Sequence, residues 1–137
     1  MTSEFAIGVH ALVYLGHKKE IISSEALSDN ICANPARIRK VMAKLKKYNL
    51  INTKEGLGGG YYLEKKIEDI TLKDVSDALE EEAIKITWKT GDEEKECLIA
   101  SGMGTVMDNI YGSINKISSD YLSTISIKEI ENQLIKK

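Results

Sequence analysis

Six cations and no acidic residue stand between Asn34 and Tyr48: Arg37, Arg39, Lys40, Lys44, Lys46 and Lys47. Ile38, Val41, Met42 and Leu45 interleave with them at i, i+3, i+4 and i+7, which places all four on one face of a helix. Arg37, Lys40, Lys44 and Lys47 lie around the opposite side. A helix that is apolar on one side and cationic on the other docks on a core while holding its charge out to a polyanion. The chemistry implied is recognition of phosphate and base edges rather than bond making.

Arg37, Arg39 and Lys40 fall in the first turns of this helix, the part that reaches base edges when such a helix enters a major groove. Arginine pairs with guanine there, whereas lysine mostly neutralises phosphate. Lys44, Lys46, Lys47, Lys54 and Lys65 are accordingly expected on the DNA backbone, although for Lys46 or Lys65 alone a solvated surface cation explains the residue equally well. Beyond the helix, Leu50-Ile51-Asn52-Thr53-Lys54 and Tyr61-Tyr62-Leu63 flank Gly56, Gly58, Gly59 and Gly60. Two short strands around a glycine cluster predict a β-hairpin, because glycine enters positive φ without penalty; a flexible glycine loop is the alternative. Gly58, Gly59, Gly60 and Tyr61 are thus candidate contacts from the tip and return strand.

Two cysteines, Cys32 and Cys97, are too far apart in sequence for a zinc-type pair. Cys32 precedes the cationic helix closely, and helix N-termini and cations both favour a thiolate. Cys97 follows Glu93, Glu94 and Glu96, which oppose one. The pattern predicts that Cys32 is oxidised first and Cys97 resolves it, across a dimer if the geometry allows. Two small buried apolar residues are the plain alternative. His10 and His17 stand seven apart on one predicted helix, about 10 Å along its axis, too far to share a metal. No catalytic grouping emerges, and the glycines at 56–60 lack the lysine and Ser/Thr of a phosphate loop. Neither enzymatic activity nor a metal site is expected. Ile84, Ile86 and Trp88 alternate with polar residues, which predicts a half-buried strand or extended segment. A core position for Trp88 is preferred to a place lining an effector pocket.

The elements that position these residues follow from capping signals. A first helix spans about Glu4 to Gly16, and a second starts after Ser23 or Ser24 and buries Leu27 and Ile31. Asn34 caps the third, with Pro35 at its first position, where a missing N–H costs nothing. Thr71 and Asp74 form a capping box with Ile70 and Val75 as a hydrophobic staple, so a fourth helix opens there. From Met103 the spacing Met103, Met107, Ile110, Ile114, Ile117, Tyr121 alternates four and three, the seam of a coiled coil. Intramolecular packing is the plain reading of such a stripe. The small preceding domain offers little surface to cover it, so a homodimer helix over about 101–122 is preferred. Ser126 and Glu129, with Ile125 and Ile130, start a last helix that turns Ile127, Ile130 and Leu134 inward.

The 137 residues carry a net charge of −2, which conceals an asymmetry. Residues 1–66 hold 11 Lys/Arg against 6 Asp/Glu, and residues 67–137 hold 8 against 15. The acidic overall balance therefore does not exclude DNA binding. No apolar run approaches the ~20 residues that cross a bilayer, and no charged-then-apolar leader opens the chain, so no membrane association and a cytoplasmic location are expected. The fold class predicted is mainly α with a small β-wing (α+β). Residues 1–66 would form a winged helix-turn-helix domain, and residues 67–137 a dimerisation region with the long helix and the C-terminal helix.

In this order the elements resemble the Rrf-two family of bacterial repressors. The resemblance rests on Phe5-Ala6, Ala11-Leu12-Val13-Tyr14-Leu15, Asn34-Pro35 with Ile38-Arg39-Lys40, Leu45, Leu50-Ile51, Gly58-Gly59-Gly60-Tyr61-Tyr62-Leu63 and Ile70-Thr71-Leu72-Lys73-Asp74-Val75. It implies a homodimer on a partly palindromic double-stranded DNA operator, with the third helix in the major groove and the wing at the minor groove. Several members hold an iron–sulfur cluster through three cysteines before the long helix. Here Cys97, ahead of Leu98-Ile99, matches the last of them, and residues 83–96 contain no cysteine, so no cluster is expected. Control by a small-molecule effector, and a winged helix turned protein–protein module, are the competing readings.

Overall fold

The computed structural model describes residues 1–135; the final two residues of the expected dimerisation region lie outside them. Six helices and one hairpin follow in order: α1 (Ser3–Lys18), α2 (Ser24–Ile31), α3 (Pro35–Lys47), β1 (Ile51–Lys54), β2 (Gly60–Leu63), a 3₁₀ turn (Ile67–Asp69), α4 (Leu72–Ala78), α5 (Leu98–Leu122) and α6 (Ile127–Leu134). The first helix is longer than expected at both ends, because Thr2 Oγ1 caps the Glu4 amide and the chain leaves through Lys19 in the left-handed region. Its stop is therefore Lys19, not Gly16.

Asn34 Oδ1 accepts from the Ala36 amide at 2.7 Å and opens α3 on Pro35 as expected. The Thr71–Asp74 capping box is reciprocal, at 2.9 and 3.1 Å, and starts α4. Ser126 caps α6 through the Glu129 amide at 3.2 Å. Leu12 and Leu15 of α1, Leu27 of α2, and Ile38, Val41, Met42 and Leu45 of α3 meet in one core with Leu50, Ile51, Ile70, Val75 and Ile127, all essentially without solvent contact. Burying whole Leu, Ile and Met side chains stabilises the assembly by about 1.5–3 kcal/mol each. The inner face of α6 is narrower than expected: Ile127 is buried, and Leu134 is exposed.

β1 and β2 pair antiparallel, Ile51 opposite Leu63 and Lys54 opposite Gly60. A contact that sequence did not show anchors the hairpin: Tyr61 and Ile22 form a bridge to the α1–α2 link.

Residues 80–97 correct the expected strand. They carry no strand, and Ile86 and Trp88 are exposed rather than cored. The segment instead lies along α5. The Ile84 amide donates to Asn115 Oδ1 at 2.8 Å, the Asn115 amide donates to the Ile84 carbonyl at 3.0 Å, and Lys89 pairs with Asp108 at 3.3 Å. A side chain, not a neighbouring strand, satisfies this backbone, which is why alternation did not yield a ladder. The long helix begins at Leu98, three residues earlier than expected from the seam, and its 25 residues span roughly 37 Å. Only Gly104 and Leu122 of α5 are buried. Met103, Ile110, Ile114, Ile117 and Tyr121 remain exposed, and Met107 is partly so.

Candidate nucleic-acid interface

Helix α3 turns its four core residues inward and leaves Ala36, Arg37, Arg39, Lys40, Ala43, Lys46 and Lys47 exposed. Ala36 and Ala43 add no bulk to this surface, so the helix backbone can approach a groove floor closely while the longer cations on either side span to its walls.

The cations divide by what holds them. Arg37 Nη2 donates to Ser3 Oγ at the start of α1. Lys40 and Lys44 flank the Glu4 carboxylate, at 3.7 and 3.9 Å from the same oxygen. Lys46 Nζ donates to Thr53 Oγ1 of β1 at 2.9 Å, which fixes the hairpin against the helix end. Among the described residues, no ion pair or side-chain hydrogen bond engages Arg39, Lys47 or Lys54. Arg39 stands on the wing side. Burial pushes the Tyr61 phenol above its ordinary value, Arg39 pulls it back and Glu25 pushes it up, so the guanidinium, the phenol and that carboxylate share one neighbourhood.

The wing projects beside α3. Gly58 sits at φ +74, a backbone that glycine adopts freely and most residues resist. Gly60 passes so close to the link between α1 and α2 that a Cβ would overlap the Ile22 carbonyl oxygen. Gly59 is confined by the Lys54 carbonyl in the same way. Leu57, unremarked in the sequence, is fully exposed at the tip. The structure thus divides the expected contacts: Arg39 shares the neighbourhood of Tyr61, and Lys54, Gly58, Gly59 and Gly60 lie in the hairpin, while Arg37, Lys40 and Lys44 turn to the start of α1 and Lys47 is exposed on α3. The residue that sequence reasoning missed is Glu4, whose contacts with α3 cross some 36 to 40 positions of chain.

Both cysteines are free and exposed. Cys32 is the left-handed C-cap of α2, with Sγ 3.5 Å from the Asp29 carbonyl, and Asn34 rather than Cys32 meets the first amides of α3. Cys97 is the N-cap residue of α5. The Ala100 and Ile99 amides hold its thiol below the usual thiol range. This reverses the expectation drawn from Glu93, Glu94 and Glu96, whose exposed carboxylates are screened by water.

His10 bonds Asn30 at 2.8 Å, and His17 lies 3.4 Å from Glu131. Among the described residues no three His, Cys, Asp or Glu side chains gather to hold a metal ion. No helix among them is long and apolar enough to cross a membrane.

Residues 1–133 match the family model Rrf2, described as an iron-dependent transcriptional regulator. YwnA of Bacillus subtilis (strain 168), described as an HTH-type transcriptional regulator, is 25% identical over 134 residues, which are 98% of either chain. A transcriptional regulator from Lactobacillus plantarum has the same fold, with a TM-score of 0.84 at 22% identity over 98% of this chain and 91% of that one. CymR, the global cysteine regulator of B. subtilis, gives 0.67 at 16% identity over 97% and 96%. The iron in the family description finds no matching donor set here: Cys97 supplies one sulfur, and the residues around it are carboxylates held on an exposed turn.

Proposed function

Because the chain belongs to the Rrf2 family of transcriptional regulators, we propose that it acts as a homodimeric, sequence-specific repressor on a partly palindromic operator, in the cytoplasm. Helix α3 enters the major groove, Arg39 reads a base edge, and Lys47 and Lys54 bind phosphate, with the glycine wing and Tyr61 along the adjacent minor groove. The observation that carries this reading is the exposed α3 face, where an uncommitted arginine stands between two alanines and beside the wing. Arginine bidentate to guanine is the commonest specific contact in that groove. A protein–protein module would instead present large apolar anchors on α3, and beyond Pro35 at its start the exposed residues are Ala, Lys and Arg.

Dimerisation runs through the stripe of Met103, Met107, Ile110, Ile114, Ile117 and Tyr121. An exposed apolar seam of this length on an almost unburied helix is stabilised by a second copy. Two heads held on such a pair read two half-sites.

Thiol oxidation is the proposed control. A peroxide oxidises the Cys97 thiolate to a sulfenic acid. The Cys32 thiol then displaces water from that sulfur, leaving a disulfide. The order is the reverse of the sequence expectation, because the amides of α5 favour the Cys97 thiolate. A disulfide between the reading head of one copy and the dimer helix of the other changes how the heads are spaced. A small-molecule effector has its own support in a cavity of about 490 Å³ between α1 and α6, bounded by Phe5, Val9, Tyr14 and Ile130.

A mobility-shift titration with the DNA upstream of the protein's own gene tests the first reading: a retarded complex weakened by Arg39→Ala is expected, and no complex at low salt contradicts it. Peroxide treatment followed by a non-reducing gel tests the second. A cross-linked species that Cys32→Ser or Cys97→Ser removes is expected, and its absence rejects the switch.

A further inference from the structure

We infer that Glu4 is an intramolecular competitor of DNA phosphate: its carboxylate occupies Lys40 and Lys44 of the recognition helix and so lowers affinity for duplex. This rests on the DNA-binding reading above and adds a residue to it.

The carboxylate is built into its position. Glu4 lies in the first turn of α1, where the helix dipole favours an anion, and its side chain is only 17% exposed. One oxygen, Oε1, faces both ammonium groups, Lys40 at 3.7 Å and Lys44 at 3.9 Å. That oxygen is shut off from solvent and accepts no hydrogen bond from any described residue. The contacts are therefore charge pairs without the hydrogen bonds that would make them permanent, and a phosphate arriving at either lysine competes with an anion already in place.

The neighbouring residues prevent Glu4 from swinging away. The Thr2 amide donates to Glu81 Oε2 at 2.9 Å, and the Thr2 hydroxyl donates to Glu81 Oε1. Ser3 Oγ accepts from Arg37. The start of α1 is thus stapled to the chain just beyond α4 on one side and to α3 on the other. Lys40 and Lys44 retain exposed side chains, 64% and 38%, so they reach solvent while their charge is partly neutralised.

Binding to random duplex comes from phosphate neutralisation and counterion release, and every cation that is already paired weakens it. Binding to the operator adds base-edge hydrogen bonds from Arg39, which Glu4 does not touch. Glu4 consequently lowers the phosphate part of duplex binding, on which random sequence depends entirely, and leaves the Arg39 contact untouched.

The test is fluorescence anisotropy on a labelled random-sequence duplex across a KCl series. It uses the full chain, Glu4→Gln, Lys40→Gln/Lys44→Gln and the triple variant. Glu4→Gln keeps the size of the side chain and is expected to bind roughly fivefold more tightly at low salt. Its slope of log affinity against log salt should steepen by about one to two, near 0.9 for each cation released. The gain should vanish in the triple variant. In the otherwise unchanged chain, Lys40→Gln/Lys44→Gln should flatten the slope by well under the ~1.8 that two free cations contribute. Unchanged or weaker binding by Glu4→Gln, a gain that survives in the triple variant, or a loss of the full two-cation slope without Glu4→Gln overturns the inference while leaving DNA binding standing. If the unaltered chain does not bind duplex at any salt, the functional reading falls first and this inference with it.

Discussion

Tyr61 and Ile22 exchange both of their backbone hydrogen bonds, the Tyr61 amide to the Ile22 carbonyl at 2.8 Å and the Ile22 amide to the Tyr61 carbonyl at 3.0 Å. This bridge sets where the wing stands relative to α3. It is possible only because Gly60, the residue before Tyr61, brings no Cβ against the Ile22 carbonyl. Gly60→Ala is therefore expected to force the strand away and to cost about 1–3 kcal/mol, the range for a residue held in an unfavourable backbone region. Hydrogen exchange checks this: the Ile22 and Tyr61 amides should lose protection while the core amides of Leu12 and Leu45 keep theirs. Retained protection at Ile22 would reject the bridge as the wing's anchor.

Among the described residues Arg39 makes no ion pair, so its removal leaves none of them unsatisfied. Arg39→Ala should reduce operator affinity by about 1–3 kcal/mol and relax the preference at one base position. The melting temperature should not change. A mobility-shift series on operator variants measures this, and a uniform loss across all sequences would make Arg39 a phosphate contact instead.

The α5 stripe predicts assembly. Ile110 and Ile114 are 45% and 40% exposed, at the centre of the seam and away from the described core. Ile110→Glu places a charge where apolar side chains would meet, and sedimentation equilibrium should show a monomer with unchanged helix content. A variant that remains dimeric would remove α5 from the interface.

Glu131 predicts a pH dependence. It is a buried acid on α6, bonded to Lys128 at 2.7 Å and facing His17 at 3.4 Å. The Lys128 hydrogen bond holds its carboxyl below the ordinary value against the opposing effect of burial, with the Lys128 charge and then His17 adding to the lowering. A depressed folded-state value means that this contribution is present above the ordinary carboxyl range and is lost as pH falls through the lowered one. Thermal melts taken below the ordinary carboxyl range should show the C-terminal helix detaching from α1 as pH drops, and Glu131→Gln should flatten that dependence by a few degrees, roughly 2–4 °C. An identical pH profile in the variant would contradict the assignment.

Local chemistry made the helices readable. Asn34-Pro35 and Thr71…Asp74 specify helix starts within four residues, and Ile38, Val41, Met42 and Leu45 state the buried face of α3 by spacing alone. What sequence could not convey were contacts made across the fold. Ile84 alternates like a strand residue, yet its backbone is satisfied by Asn115, 31 positions away. Cys97 looks disfavoured as a thiolate beside three glutamates, and is favoured by its place at the N-cap of α5, ahead of the Ile99 and Ala100 amides. The cationic residues of α3 were legible as a set. Their division into paired Lys40 and Lys44 and unpaired Arg39 depended on where α1 begins, and only the fold fixes that.

Two reading heads on one symmetric pair is the claim on which the rest depends. Hydroxyl-radical footprinting tests it most directly, on duplexes that the protein itself selects from a random pool. The account predicts two matching protected patches on one face of the helix, their centres about 10 base pairs or a whole multiple apart, both lost together in Ile110→Glu. A single unpaired patch, or no selected sequence at all, would contradict it.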